Sequence, residues 1–268
     1  MASQFSNGLG AAWSKSLFDQ MGPEGIIALR IGFSALLLGI AARVWRLRIG
    51  RDQVGNLLAY GAAMGLMNSI AYQAFARIPI GIGMAIEVTG PLAVVIYNSR
   101  RLSDLAWVAC TIAGVALLLF KDAALPGVDP LGVALAFCSA ACWAAYIVYG
   151  KRVSVLGSGS IVAVGLIVAS LFVVPFGVAT AGAKLFQPQW LIIGLGIAIL
   201  CGATPFFLQM LALRELPSRV YGLIASAVPA VGAIMGFVVL GEALELRQCL
   251  GILLVIVASV GATLSVGR

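Results

Sequence analysis

The chain has 268 residues, of which 62% are hydrophobic and 10% charged, and its mean hydropathy is +1.07. Soluble domains average roughly 45–50% apolar and about 25% charged, so the composition is that of an integral membrane protein. Histidine is absent, which removes the commonest general base and the commonest metal ligand together; the net charge of +7 does not point to nucleic acid, because in a membrane protein the placement of charge matters more than its sum.

Crossing a bilayer takes about 20 mostly apolar residues. Such stretches recur at 2–20, 25–44, 55–76, 80–98, 104–120, 130–150, 160–181, 190–212, 219–240 and 247–266. The first, MASQFSNGLGAAWSKSLF, is polar for a lipid-facing helix and carries Trp13 and Lys15. The second carries Arg30, and the third Asn68, Tyr72 and Gln73. The fourth contains MAIEVTGPLA, in which Glu87 sits among apolar and small residues, with Thr89 and Pro91 just after it. The sixth holds Trp143, Tyr146 and Tyr149, the seventh Pro175, the eighth Pro205 and Gln209, and the ninth Pro229. The fifth and tenth lack internal charges, prolines and large polar side chains. Five cysteines fall inside these runs without a CxxC pair and read as small packing residues. The reading is an all-α integral membrane fold of ten transmembrane helices, with loops too short for a soluble domain.

Charge orients the bundle. With the N-terminus in the cytoplasm, the inner loops and C-terminus hold Arg43, Arg46, Arg48, Arg51, Arg100, Arg101, Lys151, Arg152, Arg214, Arg219 and Arg268, against Arg77, Lys121, Lys184 and Arg247 outside. The positive-inside rule therefore predicts cytoplasmic termini. A repeat runs through the chain: Pro79 and Pro91 recur 138 residues later as Pro217 and Pro229, Leu102 as Leu240, and Asp104 as Glu242. Residues 1–121 and 122–268 are thus expected to be two five-helix repeats of opposite topology around a central cavity, a common plan of secondary transporters. Helices 1–4 and 6–9 are expected to surround that cavity, with 5 and 10 outside it. Pro91, Pro205 and Pro229 are the candidate helix interruptions, since proline has no N–H for the carbonyl four residues back.

Charged residues inside a span cost about 2.5–3.5 kcal/mol each on insertion scales and face a cavity or a partner. Counting along the spans at about 1.5 Å per residue brings Lys15, Arg30 and Glu87 to a similar depth, a site of net charge +1 suited to a substrate carboxylate. A plainer alternative is an Arg30–Glu87 pair that joins helices 2 and 4, with Lys15 reaching to the interface. Trp13, Asn68, Tyr72, Thr89, Trp143, Tyr146 and Gln209 are the remaining candidates to line the cavity. No metal or cofactor is expected. With no HExxH and no GxSxG motif, an intramembrane hydrolase lacks its nucleophile, base or ligands.

The segments SKSLF, ALRIGFSALLL, WRLR, GMAIEVTGPLAVVIYNSRR, ACWAAYI, LALRELPSRVYG and VVLGEAL closely resemble the bacterial threonine/homoserine exporters of the drug/metabolite transporter superfamily (EamA type). The likeness runs from about Ser14 to the C-terminus and is most specific around Glu87 and the pair Arg100–Arg101. It implies a ten-helix carrier of the bacterial cytoplasmic membrane that exports small amino acids; the inverted repeat and mid-span prolines favour alternating access, and proton exchange at Glu87, beside the carbonyl that Pro91 leaves without a donor, is a candidate coupling step. Members of the family start further upstream, which implies a first helix cut short at its N-terminus. Exporters of aromatic amino acids, drugs or other metabolites share the architecture and remain alternatives, as does a channel.

Overall fold

The structure, a computed structural model, describes residues 2–47, 49–97, 102–119, 129–153, 158–205, 208 and 226–265. Gln209, Pro217, Arg48, Arg100, Arg101, Lys121, Arg214, Arg219 and Arg268 lie outside the described residues. Among the described residues the regular elements are all helical. In chain order they are α1 (Ala2–Lys15), α2 (Phe18–Ala41), α3 (Arg51–Phe75), α4 (Ile80–Glu87), α5 (Thr89–Tyr97), α6 (Leu102–Leu119), α7 (Pro130–Val153), α8 (Ser158–Ala181), α9 (Pro188–Ala198), α10 (Val228–Leu240) and α11 (Leu246–Ser265).

By length and apolarity, the stretches Phe18–Ala41, Pro130–Val153, Gly159–Phe186 and Leu246–Leu264 suit a membrane crossing, and shorter apolar helices lie at Ile80–Val94, Ala106–Leu118, Pro188–Ala203 and Val228–Leu240. The chain is a multi-pass membrane protein. Its helices pair lengthwise: α2 with α8, α3 with α7, α6 with α11, and α4 with α10. In lipid such pairing depends on close backbone approach through small residues, not on a hydrophobic drive. At Gly90 a Cβ would run into the carbonyl of Ala140, so only glycine lets α5 lie this close to α7. α1 leans on α10 and on the chain just after α9, and its buried residues include Ser3, Gln4 and Ser14.

The three candidate prolines act differently. Pro91 lies in the first turn of α5, and the helix that the sequence reads as one span is only locally loosened at Val88, directly after Glu87, where the backbone stays right-handed helical. Pro205 follows a π-helical turn at Ile199–Ala203, in which the Thr204 N–H donates to the Ile199 carbonyl. The wider turn precedes a residue that cannot donate, a usual cause of such irregularities. Pro229 sits in the first turn of α10, where a missing N–H costs nothing. Pro175, also a candidate, lies inside α8, which continues through it.

The carbonyls around the π turn find donors on other helices. Ser6 Oγ donates to the Leu200 carbonyl at 2.7 Å, Ser3 Oγ to that of Pro205 at 3.2 Å, and Ser34 Oγ to that of Ala198 at 3.4 Å. The Cys201 carbonyl, four residues before Pro205 and so deprived of its usual donor, accepts from Arg30 Nη2 at 3.5 Å.

Candidate functional site

A cavity of about 170 Å³ lies where α1, α2, α3, α4, α7, the π turn and α10 converge. None of its lining residues comes from α6 or α11, the fifth and tenth spans of the sequence reading. α8, the seventh, also contributes none and instead packs behind α2 and α3. Arg30, Asn68, Tyr72, Glu87, Trp143 and Tyr146 all line the cavity, and so does Pro205.

Arg30 projects from α2. Its Nη2 donates to Asn68 Oδ1 at 2.9 Å and to the Cys201 carbonyl. Asn68 is held in turn, because its Nδ2 donates to the Met64 carbonyl at 2.8 Å. The guanidinium carbon stands 5.2 Å from the centroid of the Tyr72 ring, within the range of a cation–π contact. Tyr72 donates through its hydroxyl to Ser14 Oγ at 3.1 Å, and Ser14 passes the chain on to the Gly10 carbonyl at 2.7 Å. A guanidinium has five N–H groups in a planar fork. The two on Nη2 are engaged and Tyr72 is a further side-chain partner, which leaves part of the fork to offer an anion.

Glu87 is 8% exposed and closes the last turn of α4. Its Oε1 is bonded to Ser139 Oγ on α7, and the same hydroxyl lies 3.0 Å from the Met67 carbonyl on α3. Arg30 and Glu87 line the same cavity, yet no ion pair joins them among the described residues. Tyr146 is fixed by Tyr60, whose hydroxyl donates to it at 3.1 Å and whose ring stacks on it with centroids 4.8 Å apart.

Three candidates lie elsewhere. Lys15 Nζ is 2.6 Å from Glu242 Oε1 and donates to the Ile78 carbonyl at 2.7 Å. The other Glu242 oxygen accepts from the Ile80 N–H at 2.9 Å. Lys15 therefore does not join Arg30 and Glu87; it is taken up by an acid 227 residues away in the chain. Trp13 covers Gly196 of α9. Thr89 Oγ1 donates to the Ile86 carbonyl at 2.6 Å, bridging the loosened point between α4 and α5, and the residue lies on an apolar groove with α6 and α7.

Two contributors escaped the sequence reading. Ser139 sits in the small-residue run FCSAAC and carries no flag as a lone serine. The Cys201 carbonyl did have a signal: Pro205 marks the residue four before it as a free acceptor.

Comparison with known proteins adds a family to this geometry. Residues 130–264 match the model of the EamA-like transporter family. The chain is 40% identical over 259 residues to the threonine/homoserine exporter RhtA of Escherichia coli (strain K12), covering 97% of this chain and 88% of that one. The same figures hold for the threonine/homoserine exporter RhtA of Salmonella typhimurium (strain LT2). A solved crystal structure superposes with a TM-score of 0.67 over 100% of this chain and 98% of its own, at 18% identity.

Proposed function

The chain belongs to the EamA-like transporter family, and on that premise we propose that it exports small amino acids of the threonine/homoserine kind. Transport is by alternating access across the bacterial cytoplasmic membrane, and the protein is a carrier and not an enzyme. The observation that carries this reading is the sharing of one small cavity by Arg30 and Glu87, each anchored by neutral partners and not by the other. A guanidinium with N–H groups to spare suits an α-carboxylate, and a carboxyl group suits an α-ammonium. Asn68, Tyr72, Trp143 and Tyr146 form the rest of the wall. The volume argues for a small solute: about 170 Å³ is below the roughly 300–1,000 Å³ of pockets that hold drug-sized ligands.

The membrane arrangement proposed with it has ten spans, both termini in the cytoplasm, and inverted repeats at 1–121 and 122–268. Two facts support it. Two helix pairings recur when the halves are exchanged: α1 with α10 corresponds to α7 with α4 and α5, and α2 with α9 to α8 with α3. The stretch matched by the family falls within the second half.

The test is flux in proteoliposomes of the purified protein, loaded in parallel with labelled threonine, labelled phenylalanine or a cationic dye. Threonine should exchange fastest. Movement of the dye with threonine left behind overturns the small-amino-acid reading, and preference for phenylalanine moves the protein to the aromatic-amino-acid exporters.

A further inference from the structure

The Ser139 hydroxyl stands between two acceptors on different helices, the Glu87 carboxyl of α4 and the Met67 carbonyl of α3. A serine hydroxyl has one hydrogen to donate, and an ionised carboxylate has none. Both contacts are full, unshared hydrogen bonds at once only when Glu87 carries a proton: the carboxyl O–H donates to Ser139, and Ser139 donates to Met67; without it the one hydrogen is at best divided between two acceptors. When the proton leaves, Ser139 turns its only hydrogen to the carboxylate, because a hydrogen bond to a charged acceptor is about twice as strong as one to a neutral acceptor. The α7–α3 bond is then lost and the α7–α4 bond strengthened.

We infer that Ser139 is a positioning residue that converts the protonation of Glu87 into a choice of which helix α7 is bonded to, α3 or α4. The inference rests on the transport reading for its purpose, since it supplies a coupling step to that cavity. The balance is simple: the carboxyl becomes carboxylate plus a proton, which passes into the cavity lined by Glu87. A substrate ammonium stabilises the carboxylate form and so competes with the proton. The helix contacts are tight enough to feel the change. α7 lies along α3 and against α4 and α5, with Gly90 against the Ala140 backbone beside Ser139. Other titratable groups lining the cavity are Arg30 of α2, Tyr72 of α3, Tyr146 of α7 and Cys201 of the π turn. Among the described residues α5, α6, α10 and α11 add none to that lining, and Glu242 beyond α10 is committed to Lys15. Arg30, the charged one among them, forms no ion pair with Glu87 among the described residues, although its charge is felt there.

Infrared difference spectroscopy of the purified protein in lipid, titrated with pH, reads the step without requiring transport. The carbonyl stretch of a protonated carboxyl that disappears in Glu87→Gln belongs to Glu87. Ser139→Ala should change the frequency of that band and let it persist to higher pH by about one unit, a tenfold change in proton affinity. Ser139→Cys, a weaker donor, should move it less, and Ser139→Thr should restore it. The pH profile of labelled-threonine exchange should shift by the same amount. If neither Ser139→Ala nor Ser139→Cys moves the band, or if no Glu87 band exists at any pH, the inference is overturned. If the band behaves as expected and threonine is not carried, the inference stands and the transport reading falls.

Discussion

In the proposed site Arg30 is the side chain that would meet a substrate carboxylate, and its position is fixed by three neighbours: Asn68, the Tyr72 ring and the Cys201 carbonyl. Such a guanidinium is already oriented before a ligand arrives, so little freedom is lost on binding. Arg30→Lys keeps the charge but loses the planar fork. The concentration of threonine that half-saturates exchange should rise about 10- to 100-fold, the loss expected for hydrogen bonds to a charged group; an unchanged value removes Arg30 from the site. Glu87→Gln behaves differently, because an amide can donate to Ser139 as a protonated acid does. The variant should fold and insert normally while exchange becomes slow and independent of pH. Wild-type rates across a range of pH would mean that the charge is not used. Both residues were legible in the sequence as charges inside apolar runs. Ser139 was not, since a hydroxyl among small residues in a helix is usually back-bonded or packed. Lys15 was legible as a charge but not as a paired one, because its partner lies at the far end of the chain.

The element most dependent on a distant side chain is α4. Its N-terminus follows Pro79, and no side chain of its own caps it, although the first N–H groups of any helix lack intrahelical partners. Glu242 fills that role from beyond α10. Gly241, at φ 68°, ends α10 in the left-handed region, and the Glu242 N–H closes back onto the Gly236 carbonyl at 3.1 Å. That turn carries the carboxylate to the Ile80 N–H and to Lys15 together. The ends of α1, α4 and α10 are thus joined by one cluster, whose side chains are 19% and 15% exposed. The backbone polarity is fixed: a carbonyl of Ile78 faces the lysine and an N–H faces the acid. Lys15→Ala should lower stability by about 2 kcal/mol, the cost of leaving such a group unmatched. The exchanged pair Lys15→Glu with Glu242→Lys should fail to recover it, because each new charge then meets a backbone dipole of the wrong sign. Recovery of the midpoint of heat denaturation in the exchanged variant would show that only the ion pair matters.

Over the whole molecule, the periodic features of the sequence carried furthest. The apolar runs gave helices close to where they are found among the described residues. The charge-free character of the stretches around α6 and α11 set them away from the cavity lining. Contacts between helices were less legible: nothing in the α8 sequence says that it packs behind α2 and α3, since small apolar residues suit a cavity wall and a buried face equally. The sidedness of the bundle is tested at two exposed basic turns. A cysteine at Arg46, after α2, and one at Lys184, after α8, should react with an impermeant thiol reagent from opposite sides of the membrane, in a background lacking the native cysteines. Labelling of both from one side would break the proposed topology and with it the inverted repeat.

The polar character of α1 bears on how the protein comes to be inserted. Ser3 and Ser6 donate to carbonyls at the π turn, and most of the helix's other contacts outside its C-terminal end are with α10, both of which are synthesised long after α1 has left the ribosome. Alone in lipid, those hydroxyls and the side chains of Gln4 and Asn7 have no partners, and polar groups without partners are disfavoured there. α1 should therefore wait at the membrane surface until the second half of the chain arrives. In a glycosylation-mapping or protease-protection assay, a chain truncated after α7 should leave α1 uninserted, and the full chain should protect it. Insertion of α1 in the truncated chain would mean that the translocon accepts it on its own hydrophobicity. On this view the N-terminal helix is the last to take its place, and a fault in the C-terminal half would first be seen as exposure of the N-terminus to quality-control proteases.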